Sequence, residues 1–174
     1  TAAIELGISL RLLAGAQDAS AAQVTSDVFL GDYTNLNDLR HTVTGADVMT
    51  FDHEHVPTEH LTTLIAEGVN VQPQPTALVN AQDKLVMRQH LAALGAPVPR
   101  FVAIESVADI EAFWRQVDGA VCLKARRGGY DGHGVWFPKS EGECVELVTS
   151  LLDAGMLLMA EQRVRLVREL SAMV

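Results

Sequence analysis

The residues best suited to chemistry are a basic cluster, Lys124, Arg126 and Arg127, which leads into a run with four glycines in seven positions. Apolar residues typical of strands stand on both sides of it, at 120–123 and 135–137. Glycines let backbone N–H groups approach an anion closely because no side chain blocks the way. Lysine and arginine supply the positive charge that attracts a phosphate. The pattern indicates either a phosphate-binding loop between two strands or a tight hairpin whose glycines serve only the turn.

Two familiar nucleotide motifs do not fit this run. A Walker loop ends in Gly-Lys-Ser/Thr, whereas Gly134 is followed by Val135. A dinucleotide fingerprint needs a helix directly after the glycines, and residues 135–138, Val-Trp-Phe-Pro, do not begin one. If the run binds phosphate, it does so as a different kind of loop.

Charged residues elsewhere in the chain could complete such a site. Lys124 lies at the end of an otherwise apolar strand, where a charge normally needs a partner. Lys84 stands at a helix start, where a lysine taken alone is usually only solvated. Glu161 follows five apolar residues and could accept hydrogen bonds from a sugar or an amine. The alternative interpretation is that Glu161 and Glu169 are ordinary exposed residues at the ends of strands.

A second candidate is the segment 52–60, which carries three histidines, His53, His55 and His60, together with three carboxylates. It lacks the His-Glu-x-x-His spacing of a zinc helix, and a proline interrupts any helix there. His53 and His55 could still ligate zinc from one side of a strand. The favoured interpretation is a loop at the carboxyl end of a parallel strand, where Glu54 accepts hydrogen bonds from a ligand.

The composition of the 174 residues limits the possible functions. A hydrophobic content of 48% is enough for a substantial core, and the net charge of −9 argues against general binding to nucleic acid or anionic membranes. The two cysteines, Cys122 and Cys144, are too few for a disulfide scaffold. No apolar run approaches the ~20 residues of a membrane span. The sequence predicts a reducing, cytoplasmic setting.

Residues 1–72 alternate helix and strand in short units, which predicts a parallel sheet with helices on both faces. Residues 19–28 show only a weak helix or strand pattern. The predicted elements are a helix ending at Gly7, a strand at 8–13, a helix capped by Thr34 or Asn35, a strand at 46–51, a helix capped by Thr58 and ending at Gly68, and a strand at 69–71.

Two prolines, Pro73 and Pro75, mark a break, after which helices and strands alternate over longer units. Two helix starts show the spacing of a capping box, Ser106 with Asp109 and Ser140 with Glu143. The predicted elements are a helix at 80–94, a strand at 101–104, a helix from Ser106, strands at 120–123 and 135–137, a helix from Ser140 to Gly155, and strands at 156–160 and 169–174.

Taken in this order, the motifs resemble those of the ATP-grasp family, and within it the ATP-dependent carboxylases of bacterial purine synthesis. The resemblance spans essentially the whole chain, and the glycine run is its most specific part. It rests on Thr50–Pro57, Asn80–Lys84, Leu91–Pro97, Leu123–Gly134, Ala160–Gln162 and Arg168–Ser171.

The resemblance implies an α/β fold in two parts. Residues 1–76 would form an incomplete, Rossmann-like pre-ATP-grasp domain with a parallel sheet on the substrate side. Residues 77–174 would form the small α+β ATP-grasp subdomain and the start of the large one, truncated at the C-terminus. The catalytic groups, the magnesium ligands and the bicarbonate site would then lie beyond Val174, so the chain alone is expected to be inactive.

The resemblance also implies the reaction and its residues. ATP, with Mg2+, would phosphorylate bicarbonate to carboxyphosphate, which carboxylates the exocyclic amine of aminoimidazole ribonucleotide in a homodimeric enzyme. Glu54, Tyr130 and Asp131 would face that nucleotide. In the ATP site, Lys84 and Lys124 would contact the phosphates, and Glu169 would bind the ribose. The loop above the phosphates would consist of Gly129, Tyr130, Asp131, Gly132, His133, Gly134 and Val135. The adenine would be surrounded by Glu161, Gln162, Arg163 and Val164.

The chain departs from the family pattern at two loop positions. His133 stands where arginine or lysine is usual, and a histidine is mostly neutral at pH 7, so the loop is expected to hold phosphate less strongly. Val135 stands where glutamine is frequent.

Two alternative functions remain open at this point: another ATP-grasp ligase, such as a formate-dependent glycinamide ribonucleotide transformylase, and a non-catalytic nucleotide-binding module.

Overall fold

The computed structural model describes residues 2–129 and 133–171, and for Ala2 and Ile4 it describes the backbone alone. The chain divides into two compact units, residues 1–78 and 79–174. No helix of the described residues is both long enough and apolar enough to cross a membrane.

The first unit is built on parallel strand pairing. Strands β1 (Arg11–Ala14) and β2 (Asp27–Leu30) run parallel, and Met49 forms an isolated parallel bridge with Val71. The predicted parallel sheet is therefore confirmed. The helices that accompany it are α1 (Ala2–Glu5), a 3-10 turn (Ser20–Gln23), α2 (Leu36–Val43), α3 (Thr58–Ala66) and α4 (Pro75–Gln82).

A small apolar core holds the first unit together. Helix α3 contributes Leu61 and Leu64, which are three positions apart and so lie on one helix face. Both are fully buried with Val71, the residue of the isolated bridge. Leu39, Val56 and Leu78 complete the cluster.

Several local predictions for the first unit need correction. In place of the expected strands at 46–51 and 69–71, the structure has a single parallel bridge between Met49 and Val71, because only this pair of residues is joined by the backbone hydrogen bonds of a parallel ladder. Thr58 is the first residue of α3 and Pro57 takes the capping position, so Thr58 is not the N-cap. Strand β2 overlaps the segment 19–28 whose pattern was weak: its side chains are exposed or half-buried, which leaves little apolar signal.

The second unit contains an antiparallel sheet of the strands β3 (Phe101–Ile104), β4 (Val121–Ala125), β5 (Val135–Trp136) and β6 (Leu158–Gln162). The strands are arranged in the order β3-β6-β4-β5. The helices of this unit are α5 (Lys84–Ala93), α6 (Val107–Gln116) and α7 (Glu141–Asp153).

The central strands β4 and β6 give their side chains to two different faces, as the period of two in a strand requires. Val121 and Leu123 of β4 belong to the buried core that includes residues of α6 and α7. Cys122 and Lys124 alternate with them and point to the opposite face, where Cys122 is paired in register with Glu161 of β6. The sheet thus has one structural face and one face that carries ionisable groups.

Two further predictions for the second unit are corrected by the structure. The single helix expected over 80–94 is two helices, α4 and α5, because Asp83 between them leaves the helical conformation and caps α5. Of the strand expected at 169–174, residues 169–171 have no regular structure and 172–174 lie outside the described residues.

Helix α6 begins with the predicted capping box. The Ser106 hydroxyl accepts a hydrogen bond from the Asp109 backbone, and the Asp109 carboxylate accepts one from the Ser106 backbone at 2.8 Å. Ser140 caps α7 with its hydroxyl, accepting from the Glu143 backbone N–H at 3.2 Å, but the Glu143 carboxylate accepts from the Lys139 backbone N–H at 2.8 Å and so the predicted box is only half formed. Both helix starts are therefore confirmed.

Replacing Ser106 by alanine is expected to lower the free energy of unfolding by about 1 kcal/mol, because the capping box of α6 loses its hydroxyl. The matched control is Ser150→Ala in the exposed part of α7, where alanine is the better helix former and a gain of up to ~0.5 kcal/mol is expected. Urea unfolding of the three proteins measures both effects. Equal midpoints for Ser106→Ala and the unsubstituted protein would contradict the assignment.

Candidate functional site

The centre of the candidate site is the carboxylate of Glu161 on β6, which is only 5% exposed although it is charged. One oxygen, Oε2, accepts a hydrogen bond from Arg88 Nε at 2.8 Å. The other, Oε1, is in direct contact with Lys124 Nζ. A buried carboxylate needs such partners, because burial without them would cost several kcal/mol. Glu161 lies within the strand, and not at its exposed end as the sequence alone also allowed.

Lys124 reaches Glu161 from the neighbouring strand β4 and is itself largely buried. Burial lowers the pKa of Lys124 below its ordinary value, and the positive charges of Arg88 and Lys84 act in the same direction. The contact with Glu161 favours the charged lysine and opposes these effects. The expectation that a charge in this apolar strand has a partner is confirmed by this contact.

A second buried carboxylate, Asp83, connects the start of α5 to the end of β4. It is 1% exposed and accepts hydrogen bonds from the backbone N–H groups of Leu85 at 3.0 Å and Val86 at 3.3 Å. Arg126 donates to both of its oxygens, from Nε at 3.1 Å and from Nη2 at 2.7 Å. Arg127 Nε adds a longer contact of 3.4 Å. The two arginines that the sequence suggested for phosphate therefore hold Asp83 in this structure.

The same two segments are joined through their backbones. The Lys84 N–H donates to the carbonyl oxygen of Arg126 at 2.9 Å, directly beside the Asp83–Arg126 ion pair. Burial alone would raise the pKa of Asp83, but the hydrogen bonds from Arg126, Val86 and Leu85 outweigh it and hold the pKa below its usual value. Asp83 thus stays ionised and fixes where Lys84 begins its helix.

Lys84 also reaches the glycine run itself. Its Nζ lies 3.5 Å from the carbonyl oxygen of Gly129. A Cβ at Gly129 would lie 2.7 Å from the His133 carbonyl oxygen and 3.3 Å from Lys84 Nζ, so no side chain fits there. Gly134 has φ +71°, and its carbonyl oxygen accepts from the Ala125 N–H at 2.8 Å. Glycine is needed at both positions for close packing and backbone geometry.

The other ATP-site residues expected from the sequence are more scattered. Val135 is in β5 and Gln162 ends β6, whereas Arg163 and Val164 follow β6 and Glu169 is exposed outside any element. The structure brings together Lys84, Lys124, Gly129 and Glu161 in the second unit. Glu54 belongs to the first unit, and Tyr130, Asp131 and Gly132 lie outside the described residues.

The histidine-rich segment of the first unit shows ring contacts and no metal cluster. The rings of Tyr33 and His53 are 4.7 Å apart and those of His53 and His55 are 5.4 Å apart. Across residues 2–129 and 133–171, no group of three or more His, Cys, Asp or Glu side chains is placed to hold a metal ion. The described residues therefore provide no ready-made zinc cluster, whereas Mg2+ needs fewer protein ligands because nucleotide phosphates supply others.

Sequence reasoning missed two members of the site, Arg88 and the Asp83 carboxylate. Arg88 looks like an ordinary helix arginine, and its partner Glu161 is 73 residues away. One signal was available: Arg88 follows Lys84 by four positions, so both lie on one face of α5. Asp83 directly precedes a helix, where aspartate is a preferred cap.

The arrangement is suited to binding an anion of high charge. Lys84 Nζ lies beside the glycine run, Lys124 belongs to the strand that leads into it, and Gly129 leaves its backbone open to close approach. Cationic hydrogen-bond donors are strong partners for phosphate oxygens. Arg88 and Glu161 lie behind Lys124, where they affect its charge and position.

Comparison with known families divides the chain at nearly the same place as the structure does. Residues 1–82 match the ribonucleotide synthetase preATP-grasp domain. Residues 89–174 match the ATP-grasp domain. The glycine run and β4 lie within the ATP-grasp match, whereas Lys84, at the start of α5, falls between the two matched ranges.

Among curated relatives, the chain is 67% identical over all of its 174 residues to the N5-carboxyaminoimidazole ribonucleotide synthase of Corynebacterium ammoniagenes. The match covers 42% of that protein, so the chain spans about two-fifths of its length.

Two solved structures have the same fold over almost the whole chain. The N5-carboxyaminoimidazole ribonucleotide synthetase of Thermus thermophilus superposes with a TM-score of 0.83 and 28% identity, over 96% of this chain and 44% of that one. The carboxyaminoimidazole ribonucleotide synthase of Aspergillus clavatus, solved as a complex with ATP, gives a TM-score of 0.76 and 26% identity, over 93% of this chain and 42% of that one.

Proposed function

We propose, from the premise that this chain belongs to the ATP-grasp family, that the whole protein carboxylates 5-aminoimidazole ribonucleotide with ATP and bicarbonate. The product would be 5-(carboxyamino)imidazole ribonucleotide, with ADP and phosphate released. The relative from Corynebacterium ammoniagenes carries this product in its name and is 67% identical over the full chain. That identity is the observation that carries the choice of substrate.

The contribution of the described residues is to bind and orient ATP. We assign Lys84 and Lys124 to the phosphate oxygens. The support is that Lys84 Nζ lies 3.5 Å from the Gly129 carbonyl oxygen and that Lys124 presents a largely buried ammonium group at Glu161. Charge stabilisation and positioning account for most of the catalysis in phosphoryl transfer, so fixed cations are the groups that this step requires. We assign the adenine to Glu161, Gln162, Arg163 and Val164, and the ribose to Glu169.

The loop from Gly129 to Val135 is assigned to cover the phosphates. Its exclusion of water would protect carboxyphosphate, which hydrolyses readily. Support comes from Gly129 and Gly134, whose surroundings and backbone geometry admit no larger residue without strain. Tyr130, Asp131 and Glu54 are proposed to face the aminoimidazole nucleotide.

The decisive experiment uses the protein at the full length of its relatives. ATP hydrolysis is expected to need bicarbonate and to rise when aminoimidazole ribonucleotide is added. Stimulation by formate with glycinamide ribonucleotide in its place would point to the alternative transformylase. ATP binding without any stimulation by either nucleotide would support a non-catalytic module and overturn the proposed carboxylase.

Three further features are proposed on the family relationship alone. Mg2+ would accompany ATP, although the described residues offer it no ligand cluster, so none of the roles above depends on it. The whole protein would act as a homodimer on small-molecule substrates. A biosynthetic enzyme of this kind is expected in the cytoplasm.

A further inference from the structure

We propose that Arg88 is a positioning residue for ATP, which acts by holding the Glu161 carboxylate so that Lys124 can turn from Glu161 to a phosphate. This inference rests on the proposed function, because it concerns the nucleotide bound at the same site. Arg88 itself need not touch the nucleotide. Its effect passes entirely through Glu161.

The observation behind this proposal is the division of the Glu161 carboxylate between two cations. Arg88 Nε donates to Oε2 at 2.8 Å, and Lys124 Nζ contacts Oε1. The carboxylate is almost fully buried, and both cationic side chains are mostly buried as well. The triad carries two positive charges and one negative charge, so it is net positive and attracts an anion.

A phosphate that binds Lys124 draws it away from one oxygen of Glu161. A buried carboxylate left without a cation would be strongly unfavourable, and this cost would weaken nucleotide binding. Arg88 removes most of that cost because it stays on the other oxygen. An arginine suits the task, since its guanidinium remains charged at every relevant pH and is more weakly hydrated than an ammonium group.

Without Arg88, Glu161 would have Lys124 as its one cation in this triad. The phosphate would then compete with a buried carboxylate for the same lysine, and the triad would have lost its net positive charge. The predicted defect therefore depends on the charge of Glu161. This dependence separates the proposal from a role of Arg88 in folding alone, which would be felt whether or not Glu161 is charged.

The test measures the affinity of the full-length protein for a non-hydrolysable ATP analogue by titration calorimetry. Arg88→Met is expected to weaken binding by about tenfold or more. In a Glu161→Gln background, the same substitution is expected to change affinity by less than about threefold. Arg88→Lys, which keeps the charge, is expected to restore most of the affinity. Arg115→Met, at the exposed pair with Glu141, is the matched control and leaves affinity unchanged.

Two results would overturn the proposal: an equal loss of affinity from Arg88→Met in both backgrounds, or no loss in either. If Arg88→Met does not fold, as judged by circular dichroism, Arg88→Gln replaces it with the same criteria. The proposed function is tested separately by aminoimidazole ribonucleotide-stimulated hydrolysis in the unsubstituted protein. A protein that binds the analogue but shows no stimulation contradicts the carboxylase, while the affinities still decide the role of Arg88.

Discussion

Replacing Lys124 by methionine is expected to reduce the affinity for ATP, and the turnover that depends on it, by about 100-fold. Methionine preserves most of the side-chain length but removes the positive charge that contacts Glu161. Calorimetric titration with ATP analogues and steady-state kinetics of the full-length protein measure the two effects. The matched control is Lys139→Met, because Lys139 is exposed in the segment before α7 and is expected to leave both quantities unchanged.

The same substitution should affect stability much less than function. Lys124→Met leaves Glu161 with Arg88 as a partner, so the buried carboxylate keeps one cation. Removing the lysine also relieves the cost of burying its charge, which is what lowers its pKa. Thermal unfolding should therefore show a small shift beside a large loss of binding. A loss of binding matched by general unfolding would argue that Lys124 is structural.

Asp83→Ala, unlike Lys124→Met, is expected to act mainly on stability, with a loss of about 3–5 kcal/mol in the free energy of unfolding. The substitution removes the cap of α5 and leaves the half-buried Arg126 without its carboxylate. Chemical unfolding measures the change. The control is Asp153→Ala at the exposed end of α7, for which a change within about 0.5 kcal/mol is expected. A loss at Asp83 no larger than at Asp153 would contradict the role of this ion pair.

Asp83→Asn separates the charge from the cap, because an amide oxygen at this position can still accept from Leu85 and Val86. The folded-state pKa of Asp83 is depressed, so its charge stabilises the fold above the unfolded pKa of about 3.9, and this contribution disappears as pH falls through the folded value. The difference in unfolding free energy between the unsubstituted protein and Asp83→Asn should therefore be full at pH 7 and narrow progressively below pH ~4. A difference that stays constant across this range would show that charge is not the stabilising element.

The sequence predicted best those features that depend on neighbouring residues. Ser106 and Asp109 are three positions apart, so their capping box could be read directly, and Asn35, one of the two residues predicted to cap α2, is its cap. The glycine run was identified because the residue types themselves carry the signal. In both helix caps the partner atoms lie within one helical turn.

The features that sequence reasoning missed depend on distant partners. The break between α4 and α5 lies at Asp83, which caps α5, but the ion pair that accompanies the burial of Asp83 is with Arg126, 43 residues further along the chain. Lys124 was expected to need a partner, but the choice of Glu161 required knowing that β4 and β6 are neighbours although α7 separates them in sequence. Arg88 belongs to the site through its contact with Glu161 of β6, which is 73 residues away in the sequence.

The alternation of side chains along β4 has a consequence for how this protein can change over generations. Val121 and Leu123 determine how firmly the strand packs on its helices, while Lys124, on the other face, bears on ligand affinity. Mutations at adjacent positions of one strand therefore alter separate properties. Selection can adjust thermal tolerance through one face and nucleotide affinity through the other, with little compromise between them.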